Sequence, residues 1–563
     1  MWGVTMKKRL HLMVVIILVF AIIASGCSSN KANTQNPEER EAAAAGETFP
    51  IVKNKTKLKF LVVQNPMIID YKNNEFVKWY EEKTNIEIEW DVIPSDSATE
   101  KVNLILNSGD LPDAFFGVTF NEEQYAVSQQ MFLPLDDMIP TYAPNFEKVM
   151  QKHDGLKGII TATDGKIYGL PSWNDCYHCS MSKKVWINKH WLEQLGLKEP
   201  KTTEEFYQVL KAFKEKDPNG NGKADEIPFA GAASGGWNTD PNLFLMNAFT
   251  YSSADDLKLI VKDSKIETIV NTPEYREGLS YIQRLYKEGL LYNPSYTQNN
   301  DQLRQLAANP DAEILGAFVS GANVNIIDEA TVGPERYRHF VALAPLEGPK
   351  GVRYATHSKY DAAIPGSFYI PSTSKNPEAA LRWADYLYTF EGAITKKVGL
   401  KGVGWEEAKP GDVGLNGKPA LSKRLIPYAE EPQNHSLMHI GVDYAPEEFR
   451  FGEAVDPNVD PFTAEGLEKL LRDETKNKYE PYVPKTDALS VLPPIKFKAN
   501  ESQQIQTISV ELANYVKESA VRFIMGDLNL DADWNKYVES LNNIGLEQYL
   551  ETYQKAYDRQ YKE

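Results

Sequence analysis

The feature that most constrains this chain is a short alternation of element types at the start of its apolar body. Residues 57–63 (KLKFLVV) form a compact apolar run, residues 74–83 carry helical spacing, and residues 86–93 (IEIEWDVI) alternate with a period of two. A strand, a helix and a second strand in that order imply a parallel sheet with a crossover helix on one face. The theme returns at once. Residues 102–108 read as a helix, and Gly109-Asp110-Leu111-Pro112-Asp113 leads into the apolar Ala114-Phe115-Phe116-Gly117. The body beginning at residue 57 is about 510 residues, more than one core accommodates, so at least two α/β lobes are expected.

Helical periodicity recurs further on. Residues 202–216 open with a capping box, Thr202 with Glu205, and set Phe206, Val209, Leu210 and Phe213 on one face. Residues 377–388, 503–525 and 533–557 follow the same period. In the second of these, Ile505, Ile508, Leu512, Tyr515, Val516 and Phe523 line a stripe and Gly526 is placed to end it. The C-terminal third is therefore expected to be largely helical. Trp186 and Trp383 lie inside a strand and a helix pattern and are assigned to the core.

The N-terminus is an address. Lys7, Lys8 and Arg9 precede an apolar run over residues 12–24, which is shorter than the roughly 20 residues needed to cross a bilayer. The run ends in Ala24-Ser25-Gly26-Cys27, which resembles the bacterial lipoprotein cleavage box, with Ala24 where that box often has Leu. The resemblance implies lipid on Cys27 and an extracytoplasmic protein held to the cell membrane. Residues 28–50 are polar, with four alanines at 42–45, and read as a disordered tether.

The formal net charge of -17 excludes a nucleic-acid partner, because a phosphate backbone needs a basic surface. Besides Cys27 the only cysteines are Cys176 and Cys179. Without a second pair they argue against a structural zinc site; a small-loop disulfide and two free thiols both remain open.

Several segments, in order, resemble the extracellular solute-binding proteins of ABC importers. These are 101–117 (KVNLILNSGDLPDAFFG), 164–171 (DGKIYGLP) with 185–189 (VWINK), 366–392 (GSFYIPSTSKNPEAALRWADYLYTFEG), and the tail around Trp534, Gly545-Leu546 and Tyr549. The tail looks like that of the large carbohydrate-associated lipoproteins. The resemblance implies a two-lobed periplasmic-binding-protein (Venus-flytrap) fold closing on a carbohydrate, with importer permease subunits as partners. It also implies a monomer that binds without chemistry. The expected division is 1–26 signal peptide, 27–56 lipidated cysteine and tether, 57–178 and 363–400 first lobe, 179–362 second lobe, and 401–563 second lobe with a helical C-terminal region.

Residues 217–226 (DPNGNGKADE) carry the sharpest motif. Oxygen-bearing side chains stand at loop positions 1, 3, 5 and 9, with glycine at 6, the spacing with which an EF-hand wraps Ca²⁺. Asp217, Asn219, Asn221, Asp225 and Glu226, with the Lys223 carbonyl, are the candidate ligands. Pro228 occupies position 12, where an EF-hand has its bidentate Glu; in the alginate-oligosaccharide-binding relatives that this loop resembles, the adjacent Glu serves, as Glu226 would here. The expected role is structural.

Sugar sites combine aromatic faces with side chains that hydrogen-bond hydroxyls. Trp173, Asn174 and Asp175 lie at the first crossover, which the resemblance turns toward the cleft. Trp237 and Asn238 sit in a glycine-rich loop (GAASGGWN), Phe368 and Tyr369 at the return crossover, and Trp405 after a glycine-rich turn (GVGW). Gln64 and Asn65 end the first strand, where open α/β sheets bind ligands. The rival classes are a secreted glycoside hydrolase and a protein presenting its ligand to a membrane sensor. No GxSxG or HExxH motif supports the first, and His435 and His439, four apart, lack a third metal ligand.

Overall fold

Side-chain alternation explains how the first sheet comes to be covered on both faces. In the computed structural model, which describes residues 49–426, 432–486 and 488–562, Thr56–Val63 pairs in parallel with Ile86–Ile93 on one side and with Ala114–Phe116 on the other. The return strand Ala363–Tyr369 lies antiparallel to Ala114–Phe116, the first crossover strand Gly169–Asn174 comes next, and Tyr444–Ala445 closes the edge. Phe60, Phe116 and Phe368 meet Trp383 beneath one face; Leu61, Phe115 and Tyr369 meet Phe132 on the other. Burial on both faces is why the run LVV carries no polar alternation. The crossover helix Glu75–Thr84 starts at Asn74, whose side chain accepts from the N–H groups of Phe76 and Val77.

The second lobe has its own core. Val185–Asn188 lies between Ala317–Val319 and Phe340–Leu343, antiparallel to both. Trp186 and Trp191 are fully buried there with Phe206, Leu210 and Phe213 of the helix Thr203–Glu215. Both halves of that helix's capping box form: Glu205 N–H donates to Thr202 Oγ1 at 3.1 Å, and Thr202 N–H donates to the Glu205 carboxylate at 3.2 Å. The helix Ala499–Met525 ends at Gly526, whose φ of 92° is a conformation glycine adopts without strain.

The described residues correct three expectations. Residues 49–56, expected in the tether, belong to the folded body: Ile51 is 2% exposed and its N–H donates to the Thr84 carbonyl. The 533–557 pattern is two helices, Trp534–Ile544 and Leu546–Tyr561, broken at Gly545 with φ 121°. The 401–563 segment also does not belong wholly to the second lobe, because Leu437, Ile440, Val442 and Tyr444 pack into the first-lobe core. The C-terminal third is largely helical as expected, from Pro377–Asp385 and Phe390–Val398 to the long helix Ala499–Met525 and the two after it. Among the described residues no helix is long and apolar enough to cross a membrane. Cys27 and the apolar leader lie outside them.

Candidate functional site

Two cavities flank the strands that pass between the lobes. The first, about 640 Å³, is lined by Ser182 and Lys183 just past the first crossover, by Trp237 and Asn238, and by the 253–257 loop. Tyr360 and Asp361 before the return strand, and Tyr549 and Tyr553 of the last helix, complete its wall. The second, about 580 Å³, runs from Asn174, Asp175 and Glu447 on the first-lobe side to Arg472, Lys476 and Glu480 on the other. Ser358 and Asp361 line both, so the two are neighbouring compartments of one cleft.

The first compartment is built for a ligand that is apolar on its faces and polar at its rim. Trp237 is half-buried, and one side of its ring lies against Gly321, where a Cβ would come within 2.4 Å of the indole. His178 packs edge-on to it at 6.1 Å. Asn238 holds a left-handed φ of 55° and donates from Nδ2 to Ser182 Oγ at 2.9 Å, pinning the loop to the crossover. In the same wall lining, the Tyr549 and Tyr553 rings pair at 4.6 Å with their hydroxyls 3.0 Å apart. Burial pushes both phenols above their usual range, so both are neutral donors. Lys183 is buried and donates to Ser358 Oγ at 2.9 Å. Burial lowers its ammonium pKa, and the Asp361 and Asp255 carboxylates oppose that shift. Sequence patterns mark neither the tyrosine pair nor Lys183 as cleft residues, because tyrosines four apart on a helix and a lysine before a strand carry no local signal of a cavity.

The second compartment contains Asn174 and Asp175. Asn174 Oδ1 accepts from Arg450 at 3.2 Å and Asp175 Oδ2 accepts from the Glu447 N–H at 2.9 Å. Cys176 and Cys179, which line it, are joined in a disulfide, resolving the alternatives left open above. Its walls mix both signs of charge.

The other expected ligand residues lie elsewhere. Trp173 lines neither cavity; its ring stacks on His153 at 3.9 Å, and its Nε1 is buried without a hydrogen-bond partner. Phe368 is fully buried against Phe60 and Phe116, and Tyr369 is 1% exposed between Phe120 and Phe132. Alternation along a strand covered on both faces sends one inward on each side, so neither reaches a ligand. Tyr369 instead donates to Glu122 Oε1 at 3.1 Å, close to where Lys496 approaches from the second lobe. Trp405 is 2% exposed, packs edge-on to Phe390 and donates from Nε1 to Thr395 Oγ1, which makes it a core residue. Gln64 is exposed and Asn65 caps its own turn, accepting from the Met67 N–H at 2.8 Å; neither lines a cavity.

Residues 217–226 curl as a metal loop does. The N–H groups of Asn221, Gly222 and Lys223 donate to side-chain oxygens of Asp217, Asn219 and Asn221, and both asparagine amides donate to the Asp225 carboxylate. Glu226 Oε1 is buried with no hydrogen-bond partner. Burial first, then the nearby Asp217 and Asp225 carboxylates, raise the Glu226 pKa. An orphaned carboxylate oxygen beside two other carboxylates fits a hard cation. Position 12 cannot return to the loop, because Ile227 pairs with Ile314 and Gly316 and draws buried Pro228 and Phe229 into the core.

Two α/β lobes joined by crossing strands, with an aromatic, polar cleft beside the crossings, are the architecture of a two-lobed binding protein rather than a barrel or a bundle. The chain belongs to the family of bacterial extracellular solute-binding proteins, which matches residues 67–394, more than half of its length. It is 29% identical over 555 residues to the fructooligosaccharide ABC transporter substrate-binding protein FusA of Streptococcus pneumoniae serotype 4, covering 96% of each chain. It is 24% identical over 562 residues to the polygalacturonan/rhamnogalacturonan-binding protein YtcQ of Bacillus subtilis, covering 97% of this chain and 98% of that one. The lipoprotein LipO of the same organism is 25% identical over 333 residues, 59% of this chain and 64% of that one. Among solved structures, FusA with kestose aligns at TM-score 0.74 and 26% identity, over 89% of this chain and 99% of that chain. A second structure of FusA is an EF-hand mutant with fructo-nystose, at TM-score 0.73 and 26% identity over the same shares.

Proposed function

We propose that this protein captures an oligosaccharide between its lobes and delivers it to the permease of an ABC importer, as a monomer tethered to the outer face of the cell membrane by lipid on Cys27. The observation that carries this reading is the first compartment. Trp237 and the Tyr549–Tyr553 pair line one cavity of about 640 Å³ together with Asn238, Lys183, Asp255, Asp256 and Asp361. Flat rings suit the apolar faces of pyranose or furanose units, and the charged and amide groups suit their hydroxyls. The sugar-binding relatives support the reading, and Asn174 and Asp175 extend it to a longer ligand reaching the second compartment.

The loop at 217–226 binds Ca²⁺ on this proposal, with Asp217, Asn219, Asn221, Asp225, Glu226 and the Lys223 carbonyl as ligands. The EF-hand description of the FusA variant supports it. Its role is to hold the connection between the Thr203–Glu215 helix and the segment that leads to Trp237.

Calorimetric titration of the purified protein against an oligosaccharide panel tests the binding function. Saturable binding without product release is expected, and deletion of the gene should abolish uptake of the sugar that binds. Turnover of a bound glycan would overturn the transport reading. For the anchor, Cys27→Ala should leave the precursor unprocessed or release it from the membrane fraction; normal processing with unchanged membrane association would refute it.

A further inference from the structure

We infer that Lys183 is the polar anchor for the ligand in the first compartment, and that the carboxylates around it select neutral oligosaccharides over those built from uronic acids. The inference rests on the oligosaccharide reading above and narrows it to one class of sugar.

Lys183 is 6% exposed yet lines the cavity, and among the described residues its one hydrogen-bond partner is Ser358 Oγ at 2.9 Å. An ammonium has three donors, and a buried one with a single neutral partner is left short of acceptors. Ser358 itself is fixed, since its N–H donates to the Ser180 carbonyl at 2.7 Å. The remaining donors of Lys183 are therefore available to ligand oxygens.

Those oxygens could belong to hydroxyls or to a carboxylate, and the neighbouring charges decide between them. Asp255, Asp256 and Asp361 line the same cavity, three carboxylates against one ammonium. Lys258 stands nearby, but its ammonium donates to the Asp255 backbone carbonyl at 2.8 Å and it does not line the cavity. All three carboxylates are exposed, and Asp255 is in addition engaged by Ser253 and by the Leu259 N–H. A sugar hydroxyl can accept from Lys183 and donate to a carboxylate at once. A uronate carboxylate can only accept, and it would bring a fourth negative charge into the compartment. Like charges placed across a binding site work against the wrong partner. The second compartment does not reverse the balance, because its cations Lys359, Arg472 and Lys476 are matched by Asp175, Asp361, Glu447 and Glu480.

The test is calorimetric titration of the purified protein with kestose, maltotriose and xylotriose as neutral probes and trigalacturonate as the acidic probe of equal length. At least one neutral trisaccharide should bind at least a hundredfold more tightly than trigalacturonate. Lys183→Met should weaken that neutral sugar by tenfold or more without lowering the melting temperature, since it removes a buried charge at nearly constant volume. Lys183→Arg, which keeps the charge, should lose less. Asp256→Asn with Asp361→Asn should narrow the gap between neutral and acidic probes. Trigalacturonate binding as tightly as the neutral sugars overturns the selection, and a Lys183→Met variant with unchanged affinity overturns the anchor; both leave the oligosaccharide reading intact. If a broad glycan panel is silent while a different class of solute binds, the reading and this inference fall together.

Discussion

Trp237 and Trp405 come from nearly the same local text, a glycine-rich turn followed by tryptophan, and end in opposite places. Trp405 is closed off by residues near it in the chain: Phe390 and Thr395 of the Phe390–Val398 helix and the short hairpin formed with Ser422–Arg424. Trp237 is supported by residues far from it, with Gly321 under its ring, His178 at its edge and Ser182 holding its neighbour Asn238, and its remaining surface lines a cavity. Glycines beside a tryptophan let the backbone turn; they do not say which way the ring will face. What decides it is whether another element arrives to cover the second side.

The most forceful way to break this contrast is Trp405→Ala. Truncating a fully enclosed tryptophan removes its transfer free energy and leaves a cavity, with a cost of about 3–5 kcal/mol. Denaturant unfolding should report that loss as a lower midpoint, while affinity for the bound sugar stays within a factor of about two. A midpoint near that of the parent protein would mean the Trp405 ring contributes nothing to the core and that the two tryptophans do not differ as described.

The contrast also marks where the sequence was readable. Elements whose signals are local came through: the period-two strand Ile86–Ile93, the Thr202–Glu205 capping box, the stop at Gly526, and Trp186 and Trp383 in the core. The misreadings share a cause, which is dependence on distant partners. Phe368 and Tyr369 stand at a crossover, a position that points toward a ligand, but a sheet covered on both faces leaves no free side. Tyr444–Ala445 rejoins the first-lobe sheet some seventy residues after the return strand, and no local pattern announces it. The break at Gly545 was legible in principle, because glycine interrupts an otherwise continuous helical stripe. Lys183 and the Tyr549–Tyr553 pair became cleft residues only when the 253–257 loop and the last helix met across the crossover.

Calcium removal sharpens the contrast from the side of Trp237. The 217–226 loop is followed directly by Ile227 and by Phe229 and Ala230, which bridge to Leu315, Leu291 and Phe318 and lead on to the glycine-rich loop bearing Trp237. A ligand that binds only the folded state stabilises it by RT ln(1 + [L]/Kd), about 2.7 kcal/mol at a hundredfold excess. Chelation should lower the melting temperature accordingly, and Asp217→Ala with Asp225→Ala should abolish the response. If the loop supports the Trp237 wall, chelation should also weaken sugar binding, whereas Trp405 lies outside its reach. A metal-loaded preparation whose melting temperature ignores the chelator would rule out a structural ion.

The smallest effect expected is the one that bears most directly on function. Stacking of one aromatic ring on a ligand contributes on the order of 1 kcal/mol beyond area burial. Loss of the buried ring surface adds about 25 cal/mol per Å². Trp237→Ala should therefore weaken binding by roughly tenfold or somewhat more, since about 1.4 kcal/mol is one decade in Kd. Its melting temperature should change little, because the ring is half-buried and lines a cavity already present. Gly321→Ala supplies a second route to the same wall without touching the tryptophan. A Cβ there would come within 2.4 Å of the indole, so the ring must shift toward the cavity, and affinity should fall although Trp237 is intact. The two variants together separate a binding ring from a packing ring. Loss of stability with full affinity in Trp237→Ala, and unchanged affinity in Gly321→Ala, would place Trp237 in the same category as Trp405.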